Sequence, residues 1–94
     1  MELQETSKNN FFVGYDPIMQ SATDALMSLS KIGKIYIKAE GDLIPNAVSI
    51  ANIIVENFLK NNSKIERITL DSEISTTDGK MTSNIEIIIL NQAY

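Results

Sequence analysis

The groups with which this 94-residue chain could do chemistry are few and of two kinds: carboxylates at Asp16, Glu40 and Asp42, and lysines at Lys31, Lys34, Lys38 and Lys80. Three carboxylates are oxygen ligands suited to Mg²⁺ or Ca²⁺, and a cation held between them would bridge to phosphate. Read plainly, Asp16 is a helix N-cap and Glu40 and Asp42 are solvated loop charges, so no metal is expected. The chain contains no His, Cys or Trp. That composition removes imidazole general bases, thiolate nucleophiles, zinc sites with nitrogen or sulfur ligands, and disulfides. With no activated nucleophile in view, the residues point to a binding protein rather than an enzyme, and to no cofactor.

The lysines are the groups that would meet an anion. Lys31, Lys34 and Lys38 form the densest basic group, which Lys8 joins if the N-terminal segment folds back, and Lys80 stands in a turn. They are either phosphate contacts or solvated charges of an ordinary surface. Tyr15, with Phe11 and Phe12 beside it, either presents a ring to unpaired bases or packs at the start of a helix, and one of the two phenylalanines is expected in the core. Twelve Asp and Glu against eight Lys and Arg give a net charge of −4, with an isoelectric point near 4.6. That balance opposes a tight polyanion complex.

The elements that must position these groups follow from apolar period. Residues 1–9 lack any periodic pattern and are expected to form a mobile arm, leaving 10–94 as one domain. Phe11 to Val13 reads as a short strand ended by Gly14. Asp16-Pro17 then opens a helix to about Ser30, with Ile18, Ala22, Ala25, Leu26 and Leu29 at helical spacing. Lys34 to Lys38 alternates as a strand that ends at Gly41. A second helix begins just after Pro45, carrying Ala47, Ala51, Ile54, Val55, Phe58 and Leu59, and runs into the polar turn Lys60 to Ser63. Its apolar arc is broad, with Val48, Ile50 and Ile53 added, which suggests a sheet on one side and a second subunit on another. Ile68 to Ser75 and Ile85 to Leu90 form a hairpin, with Asp78-Gly79 suited to a tight primed turn. The order β-α-β-α-β-β, with right-handed crossovers, gives an α/β two-layer sandwich: a four-stranded mixed sheet with two helices on one face. No run of about 18 apolar residues and no signal-peptide core is found, so a cytoplasmic protein is expected.

This pattern resembles the Alba family of small archaeal nucleic-acid-binding proteins. The carriers are Phe12-Val13-Gly14-Tyr15-Asp16-Pro17-Ile18-Met19, Ile35-Tyr36-Ile37-Lys38-Ala39-Glu40-Gly41, Ile44-Pro45-Asn46-Ala47-Val48, Glu56-Asn57-Phe58-Leu59, and Asp78-Gly79 leading into Ile85-Glu86-Ile87, in family order over residues 11–91. The resemblance implies a homodimer whose basic bodies and two hairpin arms grip a duplex, chromatin-associated in an archaeal cytoplasm. It also implies a role for Phe58, with Leu59, in contacts between dimers.

The chain departs from the family where cations are expected. Tyr15 and Asp16 replace the usual Lys-Lys pair, so the customary acetylation target is missing; Glu40 and Asp42 replace arginines flanking Gly41; Asn46 replaces a lysine; and the shorter arm carries only Lys80. Duplex binding without sequence preference draws on counterion release by Lys and Arg, so these changes predict weak, salt-sensitive binding of DNA or RNA through Tyr15, Lys31, Lys34, Lys38 and Lys80. The other reading is an acidic interaction protein that forms a heterodimer with a basic Alba homologue and modulates it.

Overall fold

A computed structural model describes residues 8–92 of the chain. Strand β1 (Asn10–Phe12) leads to helix α1 (Ile18–Ile32), strand β2 (Lys34–Glu40), a 3₁₀ turn (Gly41–Leu43), helix α2 (Ile44–Ile53) continued by a π-helical turn (Ile54–Phe58), and strands β3 (Ser63–Ile74) and β4 (Met81–Asn91). The sheet order is β1-β2-β4-β3. β1 and β2 run parallel, while β4 is antiparallel to both of its neighbours.

Period-2 alternation divides the sheet into two faces. Ile35, Ile37 and Ala39 of β2 and Ile85, Ile87 and Ile89 of β4 turn inward and join Ala22, Ala25 and Leu29 of α1 and Ala47, Ile50, Ala51 and Ile54 of α2 in one core. Both helices therefore cover the same face, as the apolar pattern predicts. The helices meet the sheet through stripes at i, i+3, i+4 and i+7, and their alanines let the backbones come close. The core is built mainly of isoleucine. Each fully buried Ile or Leu contributes about 1.5–3 kcal/mol, which is what a domain of this size needs to offset ordering its chain.

The helix ends differ from expectation. Asp16 makes no capping bond: Pro17 is the boundary residue, in extended geometry, and no side chain caps α1. Pro17 offers only its carbonyl, which accepts the Ser21 N–H at 3.0 Å. The other end runs two residues past Ser30 and closes at Gly33, whose φ of 94° lets its N–H reach Leu29 O. That left-handed conformation is one glycine adopts without steric cost. The second helix starts before Pro45, at Ile44, and loosens at its end, where Leu59 N–H reaches back five residues to Ile54 O at 2.8 Å.

The hairpin differs in two ways. Its loop is wider than a two-residue turn: the last strand pair is Ile74 with Met81, Ser75 N–H donates to Lys80 O, and Gly79 N–H donates to Ser75 O. Gly79, at φ 73°, supplies the left-handed residue that closes it. β3 also begins earlier than expected, at Ser63, and carries a bulge between Ile65 and Arg67. The bulge matters for the faces, because it brings Ile65 and Ile68, three residues apart, to the same side of the sheet. Phe11 packs on the core and Phe12 points away from it, as the Phe-Phe pair predicts.

A candidate nucleic-acid surface

The face without helices is an open sheet, and its composition follows from register. Lys34 lies across from Leu90, Tyr36 from Ile88 and Lys38 from Glu86; Phe12 neighbours Lys38 on β1, while Lys64 and Arg67 neighbour Leu90 and Ile88 on β3. Nearer the hairpin tip the same face holds Glu40, Asn84, Asp71, Thr82 and Glu73. The open face is therefore divided electrostatically. Its body half carries Lys8, Lys34, Lys38, Lys64 and Arg67 against Glu66 and Glu86, whereas every charged residue of its outer half is an acid. Five of the chain's eight cations gather on this half-face of a protein of net charge −4.

Lys8 does fold back: its Nζ lies 4.8 Å from the centre of the Tyr36 ring and 3.8 Å from Glu86 Oε2. It is held there because Asn9 caps the sheet edge, accepting the Tyr36 N–H and donating from Nδ2 to Ser28 O and Lys34 O. The segment expected to be an arm lies outside the described residues over 1–7. Lys38 Nζ is 3.4 Å from Glu86 and 6.0 Å from the Phe12 ring centre. Lys34 Nζ is 3.5 Å from Glu66 and 5.3 Å from the Tyr36 ring centre. Hydrogen bonding with the Tyr36 side chain raises the Lys34 pKa, outweighing the opposing desolvation, and the Glu66 charge adds a smaller upward push. Among the described residues no ion pair joins Lys64 or Arg67. Such exposed pairs cost little to break, so these ammonium groups are available to a phosphate.

The structure brings Lys34 and Lys38 together and separates the other expected contacts. Lys31 is in the last turn of α1, where it complements the helix dipole. Lys80 is exposed in the hairpin loop, its N–H held by Asp78 Oδ1 at 3.1 Å. That bond, with a second from Ser75, keeps the Asp78 carboxyl below its ordinary pKa. Tyr15 is 78% exposed, and its hydroxyl donates to Asp42 Oδ1 at 3.0 Å. This bond raises the Tyr15 pKa, and the charge of Asp42 adds to the effect. It ties the loop after β1, which presents Asp16 to solvent, to the turn that follows Glu40 at the end of β2. Among the described residues no group of acids is placed to hold a metal ion. Phe58 and Leu59 are half-buried, each packing one side on the core.

Sequence reasoning missed Tyr36, Lys64 and Arg67. Tyr36 had a signal, since alternation puts it on the same face as Lys34 and Lys38. Arg67 had the same signal, since alternation from Ile68 puts it on the open face, whereas the bulge decides the side of the residues before it.

A second exposed feature is apolar. Ile68, Leu70, Ile74 and Met81 lie on the helix side of the hairpin but beyond the helices, and are 54–65% exposed. No helix among the described residues is long and apolar enough to cross a membrane.

Residues 9–72 match the family model for Alba. The chain is 32% identical over 83 residues to the DNA/RNA-binding protein Alba of Nitrosopumilus maritimus, covering 87% of this chain and 86% of that one. To the DNA/RNA-binding protein Alba of Methanoculleus marisnigri it is 35% identical, covering 86% and 91%. Its fold matches Alba from Thermoplasma volcanium with a TM-score of 0.76 at 34% identity, over 88% of this chain and all of that one. The fold alone is shared with ALBA1 from Trypanosoma brucei, at a TM-score of 0.68 and 21% identity over 89% and 70% of the two chains. A two-layer sandwich of this strand order, with sequence identity spread over most of its length, places the chain in the Alba family.

Proposed function

We propose that this chain is a nucleic-acid-binding, chromatin-associated protein of an archaeal cytoplasm that holds DNA or RNA weakly and releases it readily with salt. The observation that carries the reading is the charge division of the open face. An acidic protein that scattered its few cations would have no phosphate surface, and this one concentrates five of eight on one half-face. Lys34 and Lys38 contact the backbone there, Lys31 extends the contact at the end of α1, and Lys80 and Tyr15 act from the hairpin loop and the β1–α1 loop. Affinity is low because Asp16, Glu40 and Asp42 occupy the loops where basic relatives of the resemblance carry cations, and the outer hairpin adds Asp71 and Glu73. Counterion release scales with the number of phosphates neutralised, so few contacts mean weak binding, and because that binding is electrostatic, salt readily dissociates it.

The protein acts as a homodimer. The uncovered Ile68, Leu70, Ile74 and Met81 and the exposed Val48 of α2 are the apolar surface a second copy would bury, with Phe58 and Leu59 available for contact between dimers. A second reading has its own support: the acidic outer hairpin and loops suit a basic Alba homologue as the partner in a heterodimer, with opposite potentials steering the encounter.

Fluorescence-anisotropy titration of labelled duplex DNA and single-stranded RNA, at low and at physiological salt, tests the main reading. Micromolar binding that weakens with salt is expected, and Glu40→Lys with Asp42→Lys should strengthen duplex binding about tenfold by removing two repulsions and adding two cations. Absence of binding to either probe at low salt would overturn it.

A further inference from the structure

The open face carries two rings as well as its cations, Phe12 exposed and Tyr36 half-buried. Phe12 is 71% exposed and lines a shallow depression of about 330 Å³ with Val13, Lys38, Ala39 and Glu40. Tyr36 lines a neighbouring depression of about 580 Å³ with Lys34, Arg67, Ile88, Glu66 and Glu86. Lys38, which lines the first, sits two residues along β2 from Tyr36 and directly beside Phe12. The rings are thus on adjacent strands, about 8 Å apart by strand geometry. Each depression has one ring and at least one ammonium group standing over it.

We infer that this half-face is a stacking platform for unpaired bases, taking a single strand of nucleic acid with one base on Phe12 and a neighbouring one on Tyr36. The inference rests on the nucleic-acid reading above and names the form of the ligand at that face. A four-stranded sheet with solvent-facing aromatics on neighbouring strands binds unpaired bases through ring faces, which needs no helix in a groove and no dense cationic surface. In the free protein Lys8 and Lys34 stand over the Tyr36 ring and Lys38 lies near the Phe12 ring, contacts that are readily exchanged at an exposed site. When a base takes the ring, Lys8, Lys34 and Lys38 move from ring and carboxylate to the phosphates on either side. The platform explains how an acidic chain can keep a nucleic-acid ligand: stacking does not depend on net charge, and the five local cations suffice for a short strand. A duplex, whose bases are already stacked, gains nothing from the rings.

The test uses the full chain and three labelled probes: an oligouridylate of about 12 nucleotides, the matching oligothymidylate, and duplex DNA. The wild type should bind the single strands more tightly than the duplex. Phe12→Ala, at a site with room, and Tyr36→Leu, which keeps apolar bulk on the sheet, should each lower single-strand affinity about fivefold or more and change duplex affinity by less than about twofold. Loss on oligouridylate alone assigns the platform to RNA, and equal loss on both strands assigns it to unpaired bases of either sugar; both outcomes support it. Urea denaturation confirms that each variant folds. Duplex binding that persists with single-strand affinity unchanged in both folded variants, or falling in parallel with duplex affinity, overturns the platform and leaves the phosphate surface standing. Absence of binding by the wild type to all three probes overturns both.

Discussion

At the scale of single residues the site is organised by exchanges of partner. Tyr15 and Asp42 close on each other at 3.0 Å, so a phenol and a carboxylate from two separate loops satisfy one another. A phenol that donates to a carboxylate holds its proton more tightly in the folded protein than in the unfolded one. Its pKa is therefore raised on folding, and the stability it contributes is present below the ordinary tyrosine pKa and disappears as pH rises through the folded value. Spectrophotometric titration of tyrosinate should show one hydroxyl ionising late. Tyr15→Phe removes that late component and Asp42→Asn moves it down; a wild-type curve identical to that of Asp42→Asn would contradict the bond. The lysines behave similarly. Lys34 and Lys38 each share a carboxylate with a ring, and neither is committed to a buried pair.

At the scale of elements, the positions of these groups depend on how strands and helices stop. Gly33 ends α1 in a left-handed conformation and the strand bearing Lys34, Tyr36 and Lys38 begins at the next residue. A side chain at Gly33 would carry the penalty that L-residues meet at that φ, so Gly33→Ala should lower unfolding stability by about 1–2 kcal/mol in urea, without changing the denaturant slope. An unchanged midpoint would mean the chain closes the helix another way. The bulge in β3 has a comparable role. Without it, strict alternation onward from Ile65 would put Arg67 among the isoleucines and Ile68 on the open face. A single extra residue at Glu66 sets both the core register and the charge of the platform.

At the scale of the whole molecule, the hairpin outruns the helices that should cover it. The helix side of β3 and β4 is buried at Ile87 and Ile89, and uncovered at Leu70, Ile74 and Met81. Apolar surface on a protruding hairpin is costly to leave in water, at about 25 cal/mol for each Å², which favours burial against a second copy. Leu70→Lys with Ile74→Lys should shift the species in sedimentation equilibrium from about twice 10.4 kDa to the monomer mass. A monomeric wild type, or a variant that stays dimeric, would remove the hairpin from the interface.

The sequence by itself determined the element order, the inward positions and the acidic character of the loops. Ile35 and Ile37 alternate with Tyr36, Ala22, Ala25 and Leu29 recur at helical spacing, and Asp16, Glu40 and Asp42 put acids beside the ends of the first two strands. These features are local, and a period of 2 or 3.6 residues states which side a residue takes within its own element. Tertiary structure alone decided which elements lie side by side. That Lys8, Lys34, Lys38, Lys64 and Arg67 share one half-face, that Lys31 and Lys80 stand apart, and that Asp42 meets Tyr15 all depend on pairing between segments distant in the chain. Periodicity carries no information about cross-strand register, a bulge changes sides without altering composition, and the end of a helix decides whether an apolar residue beneath it is covered.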